Sequence, residues 1–180
     1  MLNQYRILDL SDHRGAMAAN ILATLGAEIV LVEGPDGRGR NSFPQGPDGV
    51  SLDWWSMRRG AKSVVIENRA ELMELVAGAD VLIESPDVGT GLNVEELRAV
   101  NPSLVHATIT GYGSTGPKKN WVATDLTIAA SAGSAAVTGD ADRAPLRIST
   151  PQSFLHAGQQ AAAGIAVALY ERSKSGLGQH

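Results

Sequence analysis

No cysteine occurs in the 180 residues. Disulfides, thiolate metal sites and a cysteine nucleophile are excluded at once, and the expected compartment is a reducing one, the cytoplasm. A basic excess is also missing: 15 Lys and Arg stand against 19 Asp and Glu, a net charge of −4, so a nucleic-acid partner is not expected. No apolar run approaches the roughly 18 residues of a membrane span, and the first ten residues contain no apolar core of a signal peptide. Several chemical signatures are absent too. There is no Gly-x-Gly-x-x-Gly after the first apolar run, no Gly-x4-Gly-Lys-Ser/Thr, no His-Glu-x-x-His, and no two histidines at metal-ligand spacing. Dinucleotide binding, a phosphate-binding loop of that type and a metal site therefore have no support. Repeats, low-complexity tracts and linkers are also lacking, so residues 1–180 read as one domain.

What is present alternates in period. Residues 5–10 read as a strand, 16–25 as a helix stopped by Gly26, and 28–32 as a second strand. This β-α-β unit implies a parallel sheet. A Gly/Pro-dense stretch over 34–49 follows, then a short helix over 50–57 with Trp54 and Trp55. Strands at 62–67, 81–84 and 104–110 alternate with helices at 70–77 and 94–99, the latter capped by Asn93. A loop at 111–120 leads to a helix at 124–131, capped by Thr124 or Asp125. A brief strand at 146–148 precedes the longest helical pattern, within 149–179. There Leu155, Ala162, Ile165, Ala166 and Leu169 recur at helical spacing with Ala and Gly between them, which suits close backbone approach. Gly176 supplies the stop.

Candidate chemistry is thin at this level. The loop Gly34-Pro-Asp-Gly-Arg-Gly-Arg40 could hold a phosphate on Arg38 and Arg40, or be a solvated surface loop. Arg58, Arg59, Lys62 and Arg69 bracket one strand and are either an anion site or a charged surface. His106, in a buried strand, reads as a core residue satisfied by a hydrogen bond. His156, in the first turn of the long helix, could act as donor or base. Asp125 reads as a cap. Asp12, Asp80 and Asp87 show no paired partner.

A series of segments carries more. Ile7-Leu-Asp-Leu-Ser11, Leu25-Gly-Ala-Glu-Ile29, Arg59-Gly-Ala-Lys-Ser-Val64, Ala79-Asp-Val-Leu-Ile-Glu84, Asn101-Pro-Ser-Leu-Val105, Thr110-Gly-Tyr-Gly-Ser-Thr-Gly-Pro117 and Tyr170-Glu-Arg-x-Lys-Ser-Gly-x-Gly-Gln179 occur in the order and at about the spacing of class III CoA-transferases. The chain resembles the N-terminal part of that family, the CaiB/BaiF type, which includes formyl-CoA transferase, the carnitine CoA-transferase and α-methylacyl-CoA racemase. The resemblance implies an α/β fold: a Rossmann-like open parallel sheet flanked by helices, the large domain of such an enzyme. It implies an interlocked dimer, or pairing with an active subunit or domain. It also implies acyl-CoA and a carboxylic acid as substrates, with coenzyme A bound as substrate rather than as a tightly held cofactor. The turn at 176–180 reads as leading into a further strand, and the sequence is expected to be the front of a longer chain.

In the family an Asp at the head of the long helix attacks the thioester. The register of Gly158 and Gly164 puts that position at Phe154. Ser153, His156 and Asp125 are the alternatives nearby. The resemblance further implies CoA contacts from Arg38, Arg40, Lys62, Ile66 and Arg69. Two departures accompany Phe154. The family's Glu-Asn-Phe-Arg-Pro-Gly is Glu84-Ser-Pro-Asp-Val-Gly89 here, which sets Asp87 where a cation would face CoA phosphate. Thr124 stands where the racemase branch has His. Three functions follow: a transferase whose nucleophile is supplied elsewhere, a catalytically inactive scaffold domain or subunit, or an acyl-CoA binding module.

Overall fold

A computed structural model describes residues 1–37, 39–42 and 44–180. Five strands form one sheet: β1 (Arg6–Leu10), β2 (Glu28–Glu33), β3 (Lys62–Val65), β4 (Val81–Glu84) and β5 (Val105–Thr108). Their order is β3-β2-β1-β4-β5, and every pairing is parallel. The helices are α1 (Ala16–Thr24), α2 (Leu52–Met57), α3 (Arg69–Ala77), α4 (Val94–Val100), α5 (Asp125–Ser131) and α6 (Ser153–Ser175). The α/β sheet expected from the alternating pattern is therefore formed.

Successive residues of a strand point to opposite faces, and here both faces are apolar, as a parallel sheet requires. Ile7, Ile29, Val81, Ile83 and Val105 pack with Ala18 and Leu22 of α1 and Ala162, Ile165 and Leu169 of α6. Leu8, Val32 and Leu82 pack on the other face with Leu72 and Val76 of α3 and Leu97 of α4. Gly158 lets α6 lie against α1. A Cβ there would sit 2.7 Å from Met17 Cβ and 3.0 Å from the Ala18 nitrogen.

The local stop signals are used as read. Asn93 Oδ1 accepts the backbone N–H groups of Glu95 and Glu96, Thr124 forms a reciprocal capping box with Thr127, and Gly176 closes α6 at φ 75°. Two expectations change. Residues 146–148 form no strand, because 141–151 are exposed throughout and have no ladder to join. Ala166 of α6 faces outward, since the buried stripe runs Gly158, Ala162, Ile165, Leu169. Beyond α6 the chain runs along the free edge of β5. Gly178 N–H donates to the Pro102 carbonyl (2.9 Å), and His106 N–H donates to that of Gln179 (2.8 Å).

Candidate functional site: two clefts at the carboxyl edge of the sheet

In an open parallel sheet the strand order reverses at one point, and ligands settle outside the carboxyl ends of the strands near it. Here β1 is that point, with β2 and β3 on one side and β4 and β5 on the other. A cleft lies on each side. The larger, about 760 Å³, lies beyond β4 and β5. It is lined by Glu84, Thr108, Thr110, the 86–92 loop, Tyr112, the 119–123 segment, Phe154 and His180. The smaller, about 440 Å³, lies beyond β2 and β3 and is lined by Glu33, Gly34, Pro35, Asp36, Ile66, Asn68, Arg69 and Leu72.

The larger cleft has a polar floor. Glu84 is buried at the end of β4. Its Oε1 meets His106 Nε2 at 2.9 Å and accepts the Thr108 hydroxyl at 3.0 Å, while Oε2 accepts the Leu92 N–H at 3.1 Å. Burial pushes this carboxyl up, but the His106 and Leu92 bonds outweigh it and hold Glu84 below its ordinary value. His106 is thus a hydrogen-bonded core residue, as its strand position suggested. Thr108 also meets His180 Nε2 at 2.9 Å, and the two imidazoles stack at 4.5 Å. Burial, then His106, lowers the His180 pKa, which leaves a neutral ring at the cleft.

Phe154 forms part of the wall of this cleft, with its ring edge-on to His13 at 5.8 Å. The alternatives near it serve the helix instead. Asp125 Oδ1 accepts the backbone N–H groups of Gln152 (2.8 Å) and Ser153 (2.7 Å), so a carboxylate from α5 caps the head of α6. Burial raises the Asp125 pKa, and the Ser153 and Gln152 bonds more than offset this. Ser153 Oγ donates to the Asp125 carbonyl at 3.1 Å, and among the described residues no hydrogen bond joins it to His156. Ser153, His156 and Asp125 do line one common small pocket, about 230 Å³, separate from the cleft that Phe154 faces.

The residues expected to contact CoA divide. Ile66 and Arg69 share the smaller cleft. Arg69 is paired with Glu96 of α4 through both Nε (2.9 Å) and Nη2. Arg40 grips Glu33, which lines that cleft, through Nε (2.9 Å) and Nη2 (2.5 Å), and its guanidinium lies 4.3 Å over the Trp54 ring. Arg38 lies outside the described residues. Lys62 does not belong with the others. It opens β3 at the opposite, amino edge of the sheet, where it pairs with Glu28 at 2.6 Å. A parallel sheet puts the first and last residues of a strand at opposite edges, so Lys62 does not line the cleft that Ile66 and Arg69 share.

The cations bracketing β3 therefore form no common anion site. Arg58 is buried and pairs with the buried Asp9. Burial lowers its guanidinium to about 10, which still leaves it charged at neutral pH. Arg59 is exposed. The acids that showed no partner in the sequence all have one: Asp12 and Asp87 meet Arg14, and Asp80 meets Arg172. Asp12 and Arg14 are two residues apart, but Asp87 and Asp80 lie 73 and 92 residues from their arginines, beyond any local pattern. The Glu84–His106–Thr108 cluster was missed as a unit for the same reason, although the one-residue spacing of His106 and Thr108 put both on one strand face.

The sequence matches the family model described as CoA-transferase family III over residues 2–180. It is 36% identical over 187 residues to the acetyl-CoA:oxalate CoA-transferase of Acetobacter aceti, covering 97% of this chain and 48% of that one. It is 32% identical over 192 residues to the succinyl-CoA:(R)-benzylsuccinate CoA-transferase subunit BbsE of Thauera aromatica, covering 98% and 47%. Among solved structures, a CAIB/BAIF family protein from Brucella suis superposes with a TM-score of 0.91 at 30% identity, over 99% of this chain and 51% of that one. The chain belongs to CoA-transferase family III, and it spans about half the length of the curated relatives it matches. Among the described residues no helix is long and apolar enough to cross a membrane, and no cluster of acidic and histidine side chains has the makings of a metal site.

Proposed function

We propose that this domain receives a CoA thioester at the carboxyl edge of its sheet and takes part in moving CoA between an acyl-CoA and a carboxylic acid, with the nucleophilic carboxylate supplied from outside the head of α6. The observation that carries the reading is the wall of the larger cleft. At the position expected for the nucleophile stands Phe154, and the two carboxylates that line the cleft, Glu84 and Asp87, are both engaged by other side chains. A carboxylate attacks a thioester only when it is free to approach the carbonyl carbon, and its charge must then pass to an oxyanion that N–H donors can stabilise. Ile66 and Arg69 in the smaller cleft suit the adenosine end of the thioester.

The curated relatives named above are an acetyl-CoA:oxalate and a succinyl-CoA:(R)-benzylsuccinate CoA-transferase, and the second is named as a subunit. That supports an arrangement in which a second chain, or a further part of this one, completes the site, in a dimer or a mixed pair. The scaffold reading draws on the same phenylalanine and on the Asp125 cap, which satisfies backbone N–H groups at the head of α6. One experiment separates them. The full-length protein is incubated with acetyl-CoA and oxalate, and products and adducts are followed by mass spectrometry. Transfer only when a second, carboxylate-bearing subunit is added supports the proposal. Transfer by the full-length chain alone assigns the carboxylate to a further part of that chain, transfer by residues 1–180 alone overturns the external nucleophile, and absence of acetyl-CoA binding by calorimetry overturns the ligand reading. In a Phe154→Asp variant, gain of transfer is expected if the rest of the cleft is competent.

A further inference from the structure

Asp87 lies in the loop after β4, at the rim of the larger cleft, and is largely exposed. A carboxylate there repels the phosphates of a CoA thioester unless a cation offsets it. One cation reaches it. Arg14, in the turn between β1 and α1, gathers this loop with a single guanidinium. Its Nε donates to both carboxylate oxygens of Asp12 at 3.0 Å, and Nη1 donates to the Pro86 carbonyl at 3.2 Å. Nη2 donates to the Ser85 carbonyl at 2.5 Å and to Asp87 Oδ1 at 3.1 Å. Ser85 closes the ring: its hydroxyl donates to Asp12 Oδ1 and accepts the Asp12 backbone N–H, each at 2.8 Å. Behind it, Arg58 donates to the carbonyls of Ser11 (2.6 Å) and Asp12 (3.2 Å).

The planar fork of an arginine can bridge carbonyls and carboxylates in this way, and a lysine cannot. The arrangement also explains how two acids tolerate one another at the rim. Burial pushes the Asp12 carboxyl up, yet Arg14 and Ser85 hold it below its ordinary value, and the same guanidinium that pairs with Asp12 also reaches Asp87.

We propose that Arg14 is a positioning residue for the larger cleft: it offsets part of the charge that Asp12 and Asp87 place at the rim and holds residues 85–91 in the shape that admits an anionic CoA thioester. The idea rests on the function proposed above, and its test keeps the two apart. Acetyl-CoA binding is measured by calorimetry at low and high salt for the full-length wild type, Arg14→Gln, Arg14→Lys, Asp87→Asn and the Arg14→Gln/Asp87→Asn double variant. Asp87→Asn alone removes one of two carboxylates served by a single cation and is expected to tighten binding about threefold at low salt. Arg14→Gln is expected to lose about tenfold in affinity at low salt. That loss should shrink as the screening length falls from about 30 Å at 0.01 M to about 3 Å at 1 M, and should be largely restored in the double variant. Arg14→Lys should keep the offsetting charge and lose only the salt-independent part. An arginine that merely supports the fold would give a loss indifferent to both salt and Asp87, and this result overturns the proposal. Amide exchange of residues 85–91 without ligand is the second readout. It should quicken in Arg14→Gln while the sheet stays protected, and unchanged exchange also overturns the proposal. If the wild type binds no acetyl-CoA, the functional reading fails, and the exchange data still decide whether Arg14 holds the loop.

Discussion

Residues 1–110 and residues 111–180 are built on different terms. The first region carries the sheet, with α3 and α4 over one face and α1 over the other, which α6 of the second region completes. In the second, only Ala135 and the inner stripe of α6 (Gly158, Ala162, Ile165, Leu169) are buried. Trp121, Val122, Leu126, Val137, Leu146, Ile148, Val167 and Tyr170 stand exposed. The first region supplies most of the core. The second joins it through the inner face of α6 and the 178–180 segment on the edge of β5, and leaves an apolar surface of the kind that marks a contact.

The largest expected effect lies in the first region. Arg58→Met leaves Asp9 charged and buried without its partner, which costs about 3–5 kcal/mol. Urea unfolding checks it, and a loss under about 1 kcal/mol would show that the pair does not hold β1 to the turn before β3. Acid should strike the same region. Glu33 and Glu84 are held below their ordinary value of 4.5, and Asp12 below 3.8; in each, burial acts in the opposite direction and is outweighed by hydrogen bonds. A carboxyl whose folded pKa is depressed adds stability above its unfolded pKa and loses it as pH falls through the folded value. Stability should therefore hold from neutrality to about pH 5 and decline below, and a melting temperature that rises on further acidification contradicts the assignment.

The two glycines of α6 sharpen the comparison. Gly158→Ala drives a methyl into Met17 and Ala18 of α1 and should destabilise by about 1–3 kcal/mol. A Cβ at Gly164 would meet nothing within 4 Å, so Gly164→Ala should stabilise this chain alone by up to about 1 kcal/mol. The smallest effect on folding is expected for Val167→Glu, on the exposed face, within about 0.5 kcal/mol. If that face meets a partner, the same variant should abolish association in sedimentation while leaving the melting temperature unchanged. Equal behaviour of the two glycine variants would dissolve the distinction between the inner and outer faces.

How much of this was legible follows from the range of each interaction. The alternating strands and helices, the caps at Asn93 and Thr124 and the stop at Gly176 depend on residues within about four positions, and the sequence displays them directly. Residues 146–148 misled because a short apolar run becomes a strand only beside another strand, and none is in reach. Phe154 could be singled out by its glycine register, but its packing against His13 could not.

The sequence by itself determined the parallel α/β class, the family and the odd residue at the head of α6, because periodicity, capping and motif order are local properties. Only the tertiary structure decided which charges meet. It set Arg58 on Asp9, sent Lys62 to the far edge of the sheet, gave Asp125 to the head of α6 and closed Arg14 over Asp87. Those pairs join segments 27 to 73 residues apart, and nothing short of the folded sheet brings them within hydrogen-bond distance.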